Sequence, residues 1–138
     1  MKTIIIIPAR YASTRYPGKP LVGLRGADGV TKSLIRRSWE AAMTARGVAE
    51  VYVATDDDRI HDAARAFGAQ VIMTSDHCEN GTVRCADAMA RAGLTADLVV
   101  NLQGDAPLTP PWFVEALIAA MARDEGADCA TPVIRCDS

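Results

Sequence analysis

"IIIIPARYASTRYPGKPL", residues 4–21, sets four isoleucines directly ahead of a loop that carries Arg10, Arg15 and Lys19. A strand buried on both faces reads as a continuous apolar run, as the central strands of parallel sheets do. In open α/β sheets, ligands bind in loops at the carboxyl ends of such strands. Three cations in that position mark a candidate anion site; the alternative is a basic loop that is merely solvated. Pro8, Pro17 and Pro20 stiffen the segment, Gly18 permits close approach, and Ser13 and Thr14 add hydroxyl donors. Stiffness favours binding, because a preorganised site loses less entropy when its ligand arrives. The loop fits neither G-x-x-x-x-G-K-[ST] nor G-x-G-x-x-G, which argues against a P-loop ATPase and against a dinucleotide-binding dehydrogenase.

Outward from this stretch, apolar periodicity alternates between the two secondary-structure types. Strands are expected over residues 3–7, 50–54, 70–74, 97–102 and 128–134, each after the first preceded by a helical pattern. The helix expected over residues 32–46 carries Ile35, Trp39, Ala42 and Met43 on one face. The helix over residues 111–123 carries Phe113, Ala116, Leu117, Ala120 and Met121. Gly47 and Gly68 sit where carboxyl-terminal caps belong, and Thr109 with Pro110 and Pro111 marks a helix start. Residues 25–30, "RGADGV", read as a turn and not as a domain boundary. Strands alternating with helices imply an α/β fold: a doubly wound, mostly parallel sheet with right-handed crossovers and helices on both faces.

Chain-wide properties narrow the classes of function. At 138 residues the chain fits one domain, of a size that removes roughly 70% of its unfolded surface from water. Hydrophobic residues make up 49%, charged residues 23%, and the net charge is −2. No global field therefore favours nucleic acid or an anionic membrane, and any anion site must be local. The longest apolar run falls far short of the ~18 residues that a membrane span needs. The amino terminus leads straight into a strand, so the expected location is the cytoplasm. Cys78, Cys85, Cys129 and Cys136 form two equally spaced pairs. Neither pair has the close C-x₂₋₄-C spacing of structural zinc, and the reading is small reduced thiols.

Two further strand ends are polar. "NLQGDAP", residues 101–107, closes an apolar run with Gln103, Gly104 and Asp105. In doubly wound sheets the first strand commonly neighbours the fourth across a switch point, so this loop and the opening loop are expected to face one another. Cations on one side and a carboxylate on the other suit a magnesium-bound polyphosphate. In "MTSDHCENGTVR", residues 73–84, His77 is a base or a solvated side chain, Asn80-Gly81 is a turn, and Thr82 caps the helix that follows. "ATDDDR", residues 54–59, reads as a strand end with an acidic first helical turn.

"IIIIPARYASTRYPGKPL", "VYVATDDDRI", "VIMTSDH" with "GTVR" after it, and "VVNLQGDAP" occur in an order and at intervals that resemble the 3-deoxy-manno-octulosonate (Kdo) cytidylyltransferase family, also called CMP-Kdo synthetases. The resemblance spans essentially the whole chain. It implies a Rossmann-like nucleotidyltransferase sheet and transfer of CMP from CTP to a sugar acid, with Mg²⁺ as cofactor and pyrophosphate as the second product. For Kdo the product would feed lipopolysaccharide or surface-polysaccharide synthesis. Carried over by motif, Arg10, Ser13, Arg15 and Lys19 grip the phosphates, and Pro8, Ala9, Met73, Thr74, Gly81 and Arg84 join the nucleotide site. Gln103 contacts the sugar and Asp105 ligates magnesium; Arg10, Lys19 and Asp105 are the expected catalytic residues.

The chain also departs from the family pattern. Ala106 stands where the family commonly has Glu, Asn80-Gly81-Thr82 stands for Ser-Gly-Thr, and "RGADGVTKS" replaces a shorter turn. Family members are also longer, which makes residues 1–138 a nucleotide-binding domain without the family's carboxyl-terminal half. The alternatives are a related enzyme for another sugar acid, such as a sialic acid, and a catalytically impaired nucleotide-binding module. The resemblance leaves room for a homodimer.

Overall fold

Strand β1 (Thr3–Pro8) is buried along its entire length, with Ile4, Ile5, Ile6 and Ile7 at 0% exposure. The computed structural model describes residues 2–12, 17–103, 111–124 and 126–130. Two parallel partners flank β1: β4 (Glu50–Thr55), where Ile5 aligns with Val51, and β6 (Leu98–Asn101), where Ile5 aligns with Val100. Beyond β4 lies β5 (Gln70–Met73), so the sheet order is β5-β4-β1-β6. All four strands are parallel, and the first strand does neighbour the fourth of the expected strands, which makes β1/β6 the switch point.

Alternation along β1 divides the core in two. Ile5 and Ile7 meet Ile35 and Ala42 of α1 (Leu34–Met43) together with Ile60 and Ala64 of α2 (Asp58–Ala66). Ile4 and Ile6 meet Cys85 and Ala88 of α3 (Gly81–Ala92) on the opposite face. Each isoleucine so buried contributes about 1.5–3 kcal/mol of transfer free energy. Every one of these helices begins at a side-chain cap, Ser33, Asp57 or Asn80, whose oxygen accepts a backbone N–H of the first turn.

Several local expectations require correction. The cap of α3 is Asn80, whose Oδ1 accepts the Val83 N–H at 2.9 Å, and not Thr82. Helix α1 stops at Met43 with Thr44 as its cap, so Gly47 lies beyond the helix end, and Met43 is 55% exposed. Gly68 does follow the α2 cap. In α4 (Pro111–Arg123) the core-facing residue is Val114, with Ile118 one turn on, whereas Ala116 is exposed. The turn at residues 25–30 belongs to an unforeseen hairpin of β2 (Gly23–Arg25) and β3 (Thr31–Ser33). Arg37 of α1 anchors it by donating to the carbonyls of Leu24 and Val30 at 2.8 Å each. Residues 128–130 are irregular, and the rest of the strand expected over 128–134 lies outside the described residues, as do Thr109 and Pro110. Cys78, Cys85 and Cys129 are free thiols; Cys136 is outside the described residues.

Candidate functional site

The loops at the carboxyl ends of β1, β5 and β6 converge. After β1, the chain is held to β4 by the Ala9 N–H donating to the Ala54 carbonyl at 2.9 Å. Its far end closes back through the Gly18 N–H, which donates to the Tyr11 carbonyl at 2.8 Å. Gly18 has φ 72°, a left-handed conformation that favours glycine, and a β-carbon there would stand 2.8 Å from Cε2 of Tyr11. The segment then enters a 3₁₀ turn, Lys19–Leu21.

A cleft of about 320 Å³ opens between these loops. Pro8, Ala9, Arg10, Gly81, Arg84 and Gln103, all singled out in the sequence, line it together with Cys78, Glu79 and Asn80. Gly81 makes the closeness possible: a β-carbon at that position would lie 2.9 Å from Nε2 of Gln103 and 3.1 Å from Cγ of Pro8. The helix α3 points its amino terminus into this region, with Asn80 and Gly81 at its first turn. Positive partial charge from the helix dipole adds to the Arg10 charge there. Arg10 is exposed, and among the described residues it has no hydrogen-bonding or ionic partner. A cation beside a helix amino terminus suits an anionic ligand.

Arg84 has a different employment. It is 4% exposed, and its Nη1 donates to Oγ1 of Thr74 at 2.6 Å and to the Ser75 carbonyl at 3.3 Å, while pairing with Asp56 at 3.4 Å. The guanidinium thus ties the end of β5 to the turn after β4, beneath the cleft. Asp87 supports the same segment by accepting the Ser75 N–H at 2.8 Å, a bond that holds its carboxyl below the usual aspartate range. Thr74 is buried against Arg84, and Met73 is exposed at the end of β5; neither is part of the cleft lining. Lys19 is exposed on its 3₁₀ turn, also away from that lining. His77 is exposed beside Asp76 at 3.3 Å, the solvated arrangement.

Ser13, Arg15 and Asp105 lie outside the described residues. Among the described residues no group of three His, Cys, Asp or Glu side chains is placed to hold a metal ion. Glu79 is the one carboxylate in the described cleft lining. The described part of the site alone therefore does not make a magnesium site.

The sequence reading missed three participants. Glu79 sat inside what looked like a turn. Asp56 pairs with Arg84 across 28 positions, a relation no local spacing signals. Arg59 stacks on Tyr11, its guanidinium carbon 3.2 Å from the ring centroid.

Comparison with known proteins bears on this arrangement. The chain is 46% identical over 134 residues to the 3-deoxy-manno-octulosonate cytidylyltransferase of Maricaulis maris, covering 97% of this chain and 50% of that protein. It is 48% identical over 127 residues to the 8-amino-3,8-dideoxy-manno-octulosonate cytidylyltransferase of Shewanella frigidimarina, covering 91% of this chain and 50% of that one. A solved structure of CMP:2-keto-3-deoxy-manno-octonic acid synthetase complexed with CTP superposes with a TM-score of 0.83 at 44% identity, over 91% of this chain and 49% of that one. The likeness bears out the doubly wound α/β sheet. The chain spans about half the length of the curated relatives it matches. The family model described as Cytidylyltransferase matches from residue 4 to residue 138, through each strand-end loop that builds the cleft, and the chain belongs to that family.

Proposed function

We propose that this chain carries the CTP site of an enzyme that transfers CMP to an eight-carbon sugar acid, Kdo or its 8-amino counterpart, with release of pyrophosphate. The observation that carries this reading is the cleft at the β1/β6 switch point, where Arg10, Gly81 and Gln103 come together in a chain of this family. In the reading, Arg10 pairs with phosphate oxygens, and Gly81 leaves room for the nucleotide against the first turn of α3. Lys19, on the 3₁₀ turn that ends the same loop, and Ser13 and Arg15, outside the described residues, are the further phosphate partners in this reading. Gln103, whose amide nitrogen donates to Oδ1 of Asn101 at 3.2 Å, presents the rest of its amide to the sugar. Arg84 acts from beneath, by holding residues 74 and 75.

Asp105 is the residue proposed to hold magnesium, and a metal bound there would neutralise charge on the departing pyrophosphate. Relatives acting on Kdo and on its 8-amino form match this chain about equally well, at 46% and 48% identity, so both sugars belong to the proposal. Among the described residues no helix is long and apolar enough to cross a membrane; the cytoplasm is the proposed place of work.

The test is a binding titration with CTP, UTP, GTP and ATP, followed by pyrophosphate release with CTP and each sugar acid. The reading expects CTP to bind at least about tenfold tighter than the other three, a difference of about 1.4 kcal/mol. Equal affinity for all four nucleotides would overturn it.

A further inference from the structure

Tyr11 is the contact point between the cationic loop and the body of the domain. Its ring meets Gly18, which has no side chain to interpose, and Arg59, whose guanidinium carbon is 3.2 Å from the ring centroid. Arg59 is itself fixed. Its Nη2 and Nε donate to Oδ2 of Asp57 at 2.7 and 3.3 Å, and Asp57 is the cap of α2, accepting the Arg59 and Ile60 N–H groups on Oδ1. A continuous series of directed contacts therefore runs from the first turn of α2 through Arg59 and the Tyr11 ring to Gly18. The residue before the ring is Arg10, and the residue after the glycine is Lys19. Two loop cations are thus chain neighbours of the two groups that this bracket holds.

We propose that Arg59 is a positioning residue: acting through the Tyr11 ring, it holds the loop closed at Gly18 and so fixes where Arg10 and Lys19 stand. Arg59 has no place in the described cleft lining and touches no ligand site itself. Its side chain is 59% exposed, so its ion pair with Asp57 adds little to global stability. The planar guanidinium over an aromatic face is directional, however, and restricts the loop locally. A loop ordered beforehand binds its anion with a smaller entropic loss. The consequence for nucleotide affinity rests on the CTP reading above; the closing of the loop does not.

The first measurement needs no nucleotide. Amide hydrogen exchange at Gly18, which donates to the Tyr11 carbonyl, is compared with exchange at Ala9, which donates to the Ala54 carbonyl. Arg59→Ala and Tyr11→Leu should speed Gly18 exchange by about two- to fivefold, the range expected for loss of an exposed cation–π contact, and leave Ala9 unchanged. Tyr11→Phe keeps the ring and should behave as wild type. Arg59→Lys keeps the charge near Asp57 but loses the planar group, and should exchange faster than wild type. The double variant Arg59→Ala/Tyr11→Leu should be no faster than either single one. Unchanged Gly18 exchange in Arg59→Ala, or equal acceleration at Ala9, would overturn the proposal. In the second measurement the dissociation constant for CTP should rise by the same about two- to fivefold in both single variants. If wild type binds no CTP, the functional reading fails, while the exchange data still decide the role of Arg59.

Discussion

Gly81 and Gln103 approach so closely that a β-carbon on residue 81 would lie 2.9 Å from the Gln103 amide nitrogen. Pro8 closes the same gap from the first strand, at 3.1 Å. Gly81→Ala must therefore turn the Gln103 side chain aside, which is cheap for a flexible amide, and press on Pro8, which is not. Alanine is the better helix residue by up to about 0.5–1 kcal/mol, which offsets part of the cost of pressing on Pro8, so the variant should still fold, with at most a modest loss of stability. Its CTP affinity should fall about three- to tenfold, because the displaced amide occupies the cleft. Calorimetry on wild type and variant checks both statements, and undiminished affinity would remove Gly81 from the site.

Arg84 should reveal itself as a structural clamp. Arg84→Ala removes the donor to Thr74 and Ser75 and leaves Asp56 without its partner. Hydrogen bonds from charged groups are worth about 1.5–3 kcal/mol, so a loss of about 2–4 kcal/mol in urea denaturation is expected. Loss of CTP binding with stability intact would instead make Arg84 a direct phosphate ligand.

Acid should weaken the fold through Asp57 and Asp87. The hydrogen bond from the Arg59 side chain and the cap bonds from the Ile60 and Arg59 N–H groups hold Asp57 below the ordinary aspartate range, the cap bonds being the part that supports the fold, and the Ser75 N–H lowers Asp87. Both folded values lie below the unfolded value of about 3.9, so their stabilisation is complete above about pH 4 and is lost as pH falls through the folded values. Asp57→Asn retains a good capping side chain but loses the charge. Its urea midpoint should sit below wild type at pH 7, and the two should converge towards pH 3. A constant gap across that range would show that ionisation of Asp57 is irrelevant to stability.

The thiols offer a direct probe of occupancy. Burial pushes the Cys85 thiol up to about 11, so at pH 8 it should resist a thiol reagent until the protein unfolds. Cys78 is half-buried in the cleft lining, and CTP should slow its modification severalfold. Cys78→Ser should abolish the CTP-sensitive phase. Labelling kinetics indifferent to CTP would place the nucleotide elsewhere.

The legible parts of this molecule are those in which local pattern and tertiary role coincide. The run Ile4–Ile7 could only be a doubly buried strand, and the polar residues at strand ends marked the cleft because a parallel sheet brings those ends to one side. The hairpin β2/β3 escaped notice because its strands have three residues each and sit at the surface, without an apolar signal. In α4 nearly every position is apolar, so periodicity could not choose between the Val114/Ile118 face and its neighbours. The Arg84–Asp56 pair and the Arg59–Tyr11 stack were invisible for another reason. An arginine after a strand-end turn looks the same in sequence whether it packs against the domain or reaches for a ligand, and only the packing of α3 and α2 on the sheet decides.

The β1/β6 pairing has a kinetic meaning. It joins segments far apart in sequence; the Lys2 N–H, just ahead of β1, donates to Oδ2 of Asp97 across 95 positions, at 2.7 Å. Closing so long a loop is entropically slow compared with pairing β1 to β4 or β4 to β5. A molecule that has zipped only its first three parallel strands already owns Arg10 and Arg84, but Gln103 is still adrift and the cleft has one wall. The ability to hold a ligand between these loops is thus acquired at a single late event. A ligand held by both walls acts as a staple on the sheet's longest-range seam, slowing its reopening.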